Sequence, residues 1–269
     1  MAGGAVVSLW RYPVKSMMGE ELNASDVTDR GVLGDRSLAL VDTETGKVVS
    51  AKNPKKWPAM FDFRAAFVDP PQLGQPLPPV RVTRPDGDSV MSDDAGFAES
   101  MSAALGRPVT LAAAGTPEPS LEEYWPDMAE LDYQETVTDE TMPAGTFFDL
   151  ATIHVLTTAS INQLRSLYPE GRFEVRRFRP NIVVRTDDTD AGFVESDWLG
   201  KQLRLGDDVV VKITDHCPRC VMTTLPQGDL PKDSGILRTA ARHNGVNVGV
   251  YGEVRHAGRV QRGDAVSLS

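Results

Sequence analysis

Cysteine is nearly missing from this chain: 269 residues carry two, Cys217 and Cys220. So few thiols exclude a disulfide framework and point to a reducing compartment. They also exclude the ordinary iron–sulfur cluster, which takes about four cysteine ligands. Redox chemistry here would draw its electrons from another protein. Histidine is also scarce, with only His154, His216, His243 and His256. Long hydrophobic runs are absent, and nothing approaches the stretch of about 18 apolar residues that spans a bilayer. Met1 to Trp10 lacks a basic start followed by a long apolar run, so no signal peptide is expected. Positive charge is not in excess either, because the formal net charge is −10. Such a balance argues against a phosphate backbone or an anionic membrane as partner. The expectation is a soluble cytoplasmic protein without nucleic-acid or membrane partners.

What is present suffices for a packed interior. Hydrophobic residues make up 41% of the chain, enough for one large core or two small domains. Short β-prone runs separated by turns dominate the first part. They lie at residues 5–10, 36–41, 47–51, 62–68, 80–83 and 109–113. The turn Asp42-Thr43-Glu44-Thr45-Gly46 predicts a hairpin between the second and third. A helix is predicted over 95–105, capped by Asp93 or Asp94 and ended by Gly106 and Pro108. Residues 116–145 lack a clean period and read as a connecting segment. The second part predicts strands at 152–156, 181–185 and 208–214. A helix after Thr157 or Thr158 carries Ile161, Leu164 and Leu167 on one face. Another helix covers 233–243, and residues 248–255 and 260–268 close the chain as a hairpin. The fold class expected is α+β, predominantly β and barrel-like, with few helices. The division is 1–115, a connection over 116–145, and 146–269.

Several constellations could carry chemistry. Lys15 and Ser16 follow a strand directly, which suits an anionic ligand, though an exposed lysine and a turn serine would look the same. Gly34-Asp35-Arg36 enters another strand and is also compatible with a surface ion pair. Arg172, Arg176, Arg177 and Arg179 crowd into eight residues of an acidic chain. Guanidinium forks match phosphate geometry, but charge runs usually face water. Thr157-Thr158-Ala159-Ser160 starts a helix, where backbone N–H groups can hold a phosphate or simply be capped.

The cysteines admit four readings. Structural zinc needs two more ligands, and no two histidines have the paired spacing of a zinc finger. A thioredoxin-like dithiol would open a helix, whereas Val221 to Leu225 looks extended. An inert buried pair needs no further partner. The fourth reading is a soft-metal ligand, in which Arg219 favours the thiolate of Cys220. Taken with the cations and hydroxyls, it describes a site for a phosphorylated cofactor bearing a soft metal.

Tyr-Pro-Val-Lys-Ser at 12–16, Gly-Asp-Arg at 34–36, Arg-Arg-Phe-Arg-Pro-Asn-Ile at 176–182, Cys-Pro-Arg-Cys-Val-Met-Thr-Thr at 217–224 and Gly-Asp-Ala-Val-Ser-Leu at 263–268 together resemble the MOSC family. That family includes the mitochondrial amidoxime reducing component and bacterial relatives. The resemblance implies a MOSC-type β-barrel preceded by an N-terminal β-barrel domain. It implies a molybdenum cofactor, a pterin dithiolene with one terminal phosphate. Cys220 would ligate molybdenum and serve catalysis, while Cys217 has no assigned role. Lys15, Ser16, Arg36 and Arg179 would hold the pterin and its phosphate, with Asn181, Thr158 and Ser160 as further candidates. The chemistry implied is reduction of N-hydroxylated small molecules, the metal and dithiolene carrying the redox work. The sequence ends after a barrel-closing strand, without the ferredoxin-like domain of some relatives, and starts without the mitochondrial anchor. A separate donor, ferredoxin-like or cytochrome-like, is therefore expected. The alternatives are a non-catalytic molybdenum cofactor carrier or sulfur-carrier protein, and a Cys-x-x-Cys dithiol redox protein.

Overall fold

A computed structural model describes residues 4–115, 118–187 and 191–269. Its centre is a closed barrel of seven strands. In order around the barrel these are Ile182–Arg185, Ile153–Thr157, Asn247–His256, Val209–Pro218, Gln202–Leu205, Ala265–Leu268 and Gly4–Arg11, which pairs back onto Ile182–Arg185. The first two run parallel, with Val155 opposite Ile182. The other pairings are antiparallel. Parallel neighbours need a crossover, here the Thr158–Leu167 helix and the single helical turn Val175–Phe178. Val209, Val211 and Ile213 alternate inward and meet Leu9, Val155 and Val250 in a buried core. Full closure leaves few exposed strand edges.

The N-terminal part builds smaller sheets around a second core. Arg64–Phe67, Val80–Thr83 and Ser89–Met91 form one sheet, and Leu38–Asp42 pairs with Val109–Ala113. Isolated bridges from Val14 to Leu38 and from Met18 to Arg64 stitch them together. This core also takes in Val221, Met222 and Leu225 from the cysteine segment. The two halves thus interlock twice: the first strand completes the C-terminal barrel, and the cysteine loop enters the N-terminal core. No helix among the described residues is long and apolar enough to cross a membrane.

Several local expectations need correction. Residues 116–145 are more than a connection: Ser120–Trp125 and Thr136–Thr141 form a six-rung antiparallel hairpin. The hairpin expected between 36–41 and 47–51 forms but is short: beside the Val41–Val48 bridge, Asp42 N–H donates to Lys47 O and Val49 N–H to Leu40 O, both at 2.9 Å, and the chain turns away where Asn53 N–H donates to Ser50 O. The last two runs do not pair with each other. Gly258–Gln261 joins Ala24–Thr28, whereas Ala265–Leu268 enters the barrel. The first helix starts at Phe97 with Gly96 at its N-cap, since the Asp94 carboxylate accepts from Met91 N–H at 3.0 Å. Val221–Thr224 is a 3₁₀ turn rather than extended.

Candidate functional site

A cavity of about 510 Å³ opens where the barrel, the N-terminal sheets and the hairpin meet. Lys15, Ser16, Arg36, Arg179, Asn181 and Cys220 all line it, although they are scattered over 206 positions of the sequence. Lys15, Ser16, Arg179 and Asn181 are buried, and burial of polar groups requires partners. Lys15 Nζ donates to Phe147 O at 2.9 Å and to Asp149 at 2.8 Å. Ser16 Oγ accepts from Ala51 N–H at 3.1 Å. Arg36 is paired with Asp35. Asp35 is oriented in turn by Tyr12 N–H at 2.7 Å and Asn181 Nδ2 at 2.9 Å. Arg179 donates to Met17 O at 2.6 Å and lies 4.2 Å from the Tyr12 ring centroid, a cation–π contact.

Backbone strain concentrates here. Among the described residues, Ser16, Arg36, Glu135, Arg179 and Val246 are the non-glycine residues with positive φ. All of these except Glu135 line the cavity. Such conformations cost on the order of 1 kcal/mol or more each and persist only where surrounding structure over-determines them.

The arginine cluster divides by depth. Arg172 and Arg176 pair with Glu174 and Asp229 at the surface. Arg177 is fully buried and donates to the carbonyls of Arg172, Thr223, Leu225 and Pro231 at 2.8–3.1 Å. It therefore clamps the loop that carries Cys220. Only Arg179 reaches the cavity.

Cys220 follows the long Val209–Pro218 strand and is half-buried, whereas Cys217 is completely buried. Arg219 Nη1 donates to Cys217 Sγ at 2.6 Å, so the arginine expected to serve Cys220 bonds its neighbour instead. Burial pushes the Cys220 thiol up to about 11, Glu123 adding to the rise while Lys52 and Arg219 oppose it. A metal ligand must lose that proton on binding.

Thr158 and Ser160 are not brought to the cavity. Thr157 accepts from Ser160 N–H at 3.1 Å as an N-cap, and the hydroxyls of Thr157 and Ser160 donate to buried Glu195 at 2.6 and 2.7 Å. At that helix start the Ser160 N–H is capped internally, and neither Thr158 nor Ser160 lines the cavity.

Sequence reasoning found Lys15 but missed the rest of its wall. Glu123, Lys52, Asp149 and Lys15 alternate in charge along it, with contacts of 2.9, 3.3 and 2.8 Å. Burial alone would raise the Asp149 carboxyl, but Lys15, Lys52 and Arg36 hold it far below the usual carboxylate range. Buried His154 also lines the cavity, its Nε2 3.1 Å from Val248 O, and burial followed by Arg219 depresses its pKa well below normal, leaving it neutral. One signal was available: residues 118–140 hold nine carboxylates and no lysine or arginine, while Lys47, Lys52, Lys55 and Lys56 crowd together upstream.

Residues 144–267 match the MOSC domain, and residues 3–97 match the MOSC N-terminal beta barrel domain. The chain belongs to the MOSC family. This MOSC protein is 26% identical over 245 residues to mitochondrial amidoxime reducing component 2 of Macaca fascicularis, covering 82% of the chain and 67% of that relative. Its fold resembles the YUAD protein from Bacillus subtilis at a TM-score of 0.50 and 11% identity, covering 99% of this chain and 95% of that one.

Proposed function

We propose that this MOSC protein binds a molybdenum–pterin cofactor through Cys220 and reduces N-hydroxylated small molecules. The observation that carries the reading is one soft thiol donor in a cavity lined by Lys15, Arg36, Lys52, Arg179 and Arg219. A pterin dithiolene with a phosphate is a polyanion. Lys15, Arg36 and Lys52 are paired with Asp149, Asp35 and Glu123, whereas Arg179 and Arg219 have no carboxylate partner among the described residues. Two such guanidinium groups around one thiol suit that charge and a soft metal. Arg219 Nε is buried without a hydrogen-bond partner. Among the described residues no three His, Cys, Asp or Glu side chains converge as a metal-ligand set. Cys220 would accordingly be a single protein ligand to a metal that arrives with others.

In this reading Lys15, Ser16, Arg36 and Arg179 hold the pterin and phosphate. Asn181 acts through Asp35, whose carboxylate it shares with Arg36. When bound, the group supplies a two-electron centre able to take oxygen from an N–OH bond. The relative named for amidoxime reduction supports the N–OH substrate class. Tyr12 and Phe148 flank Arg36, their ring centroids 5.0 and 5.5 Å from its guanidinium carbon, and restrict water on that side. Electrons come from a separate ferredoxin-like or cytochrome-like protein in the cytoplasm. The test is anaerobic oxidation of a reduced viologen dye by benzamidoxime, using protein made in a cofactor-producing host. The parent consumes dye and forms the amidine, and Cys220→Ser falls to background. Equal turnover by both rejects the role of Cys220. A molybdenum-loaded parent that forms no amidine rejects the reductase reading.

A further inference from the structure

The cavity wall made by the Ser120–Trp125 and Thr136–Thr141 hairpin lies outside both matched spans, 3–97 and 144–267. It carries recognition chemistry that the cofactor reading does not use. The pairing sets Leu121 opposite Glu140, Glu123 opposite Thr138 and Trp125 opposite Thr136, so these residues share one face of the hairpin. On that face the indole N–H of Trp125 donates to Thr138 Oγ1 at 2.8 Å, and that hydroxyl donates to Glu140 Oε1 at 2.8 Å. The relay fixes an aromatic face beside a carboxylate. Trp125, Glu140 and Asp132 all line the cavity.

Most hairpin carboxylates are already neutralised: Glu122 by Lys47 and Lys56, Glu123 by Lys52, Glu130 by Arg242, Glu135 by Lys55 and Asp139 by Lys47. Among the described residues Asp132 and Glu140 form no ion pair and no cation covers the Trp125 ring, against which Tyr133 packs tilted with the centroids 5.1 Å apart. A fixed aromatic ring with unneutralised carboxylates is how proteins hold delocalised organic cations.

We propose that Trp125, Asp132 and Glu140 select substrates by charge, admitting N-hydroxylated compounds that carry a delocalised cation, such as N-hydroxyguanidines, over anionic ones. This rests on the reductase reading for the reaction but not for the binding. The hairpin faces the entering substrate, while the cationic floor faces the cofactor.

Calorimetric titration of the oxidised, donor-free protein tests it. The ligands are phenyl-N-hydroxyguanidine as the cation and 4-carboxybenzamidoxime as the anion. Asp132→Asn and Glu140→Gln should each weaken the cation roughly three- to five-fold, the size of a partly exposed charge contact, and leave the anion equal or tighter. Trp125→Leu should weaken the cation by a similar factor. Unchanged melting temperatures establish that the variants fold. Cation affinities unaltered in both carboxylate variants overturn the proposal, as does an equal loss for cation and anion. Molybdenum content measured on the same samples separates the two claims, because its absence counts against the cofactor reading alone.

Discussion

Arg177 shows most directly how one side chain positions the site. Among the described residues it has no carboxylate partner, and it satisfies four carbonyls instead, including those of Thr223 and Leu225 just past Cys220. Replacing it leaves several buried acceptors unpaired. Arg177→Met should destabilise the protein by on the order of 3 kcal/mol, whereas exposed Arg172→Ala should cost less than about 1 kcal/mol. Urea unfolding of the two variants checks this, and equal costs would contradict it. Lys15 makes a pH-dependent contribution. Burial holds its ammonium down to about 8, against 10.5 for an ordinary lysine. Between those values the unfolded chain keeps a proton that the folded one has released, so stability from this residue rises with pH across that window. Below it, the cost of burying the charge is fully present. Melting curves of the cofactor-free protein should show the parent gaining on Lys15→Met from pH 8 to 10.5. A difference that stays flat would contradict the assignment. At this scale the sequence was legible where a residue type is rare or its neighbours are distinctive. Cys220, Lys15, Arg36 and Arg179 all line one cavity. Glu123, Lys52 and Asp149 were not legible, because their meaning lies in contacts between distant segments.

Among the elements, the Ser120–Trp125 and Thr136–Thr141 hairpin is held down by ion pairs as well as by backbone bonds from Val48 N–H to Ser120 O and from Tyr124 N–H to Lys52 O, both at 2.8 Å. Lys47, Lys52, Lys55 and Lys56 reach Glu122, Glu123, Glu135 and Asp139 across the gap, and Leu121 is its buried apolar anchor. Screening shortens from about 10 Å at 0.1 M salt to about 3 Å at 1 M. Amide exchange in residues 120–125 and 136–141 should therefore quicken with salt, while the Val209–Pro218 strand stays protected. Equal protection at both salt levels would show that the ion pairs do not hold the hairpin. The same chemistry hid this element from sequence reasoning. Its cavity face holds Glu123, Trp125, Thr138 and Glu140, so no apolar alternation marks it as a strand. Val109–Ala113 was legible because its valine, threonine and leucine sit in a short, turn-bounded run. The closing strands were located, but their partners are set by barrel closure rather than by the Gly263 turn between them.

The whole molecule is organised so that neither half owns the site. Gly4–Arg11 closes the barrel by pairing with Ile182–Arg185 and Ala265–Leu268. Tyr12 to Ser16 then lead from that strand into the cavity floor. The loop after Cys220 is anchored in the opposite core through Val221, Met222 and Leu225. The β-rich class was readable from the many short runs, but the interlock was not, since long-range pairing leaves no local period. The central claim is that this interlock presents Cys220, and not Cys217, to a molybdenum cofactor. The direct test is the molybdenum-to-protein ratio of the parent, Cys220→Ser and Cys217→Ser, all made in a host that synthesises the pterin. The account predicts a ratio near one for the parent, the same for Cys217→Ser, and near zero for Cys220→Ser. A parent without molybdenum, or equal loss in both variants, would contradict it.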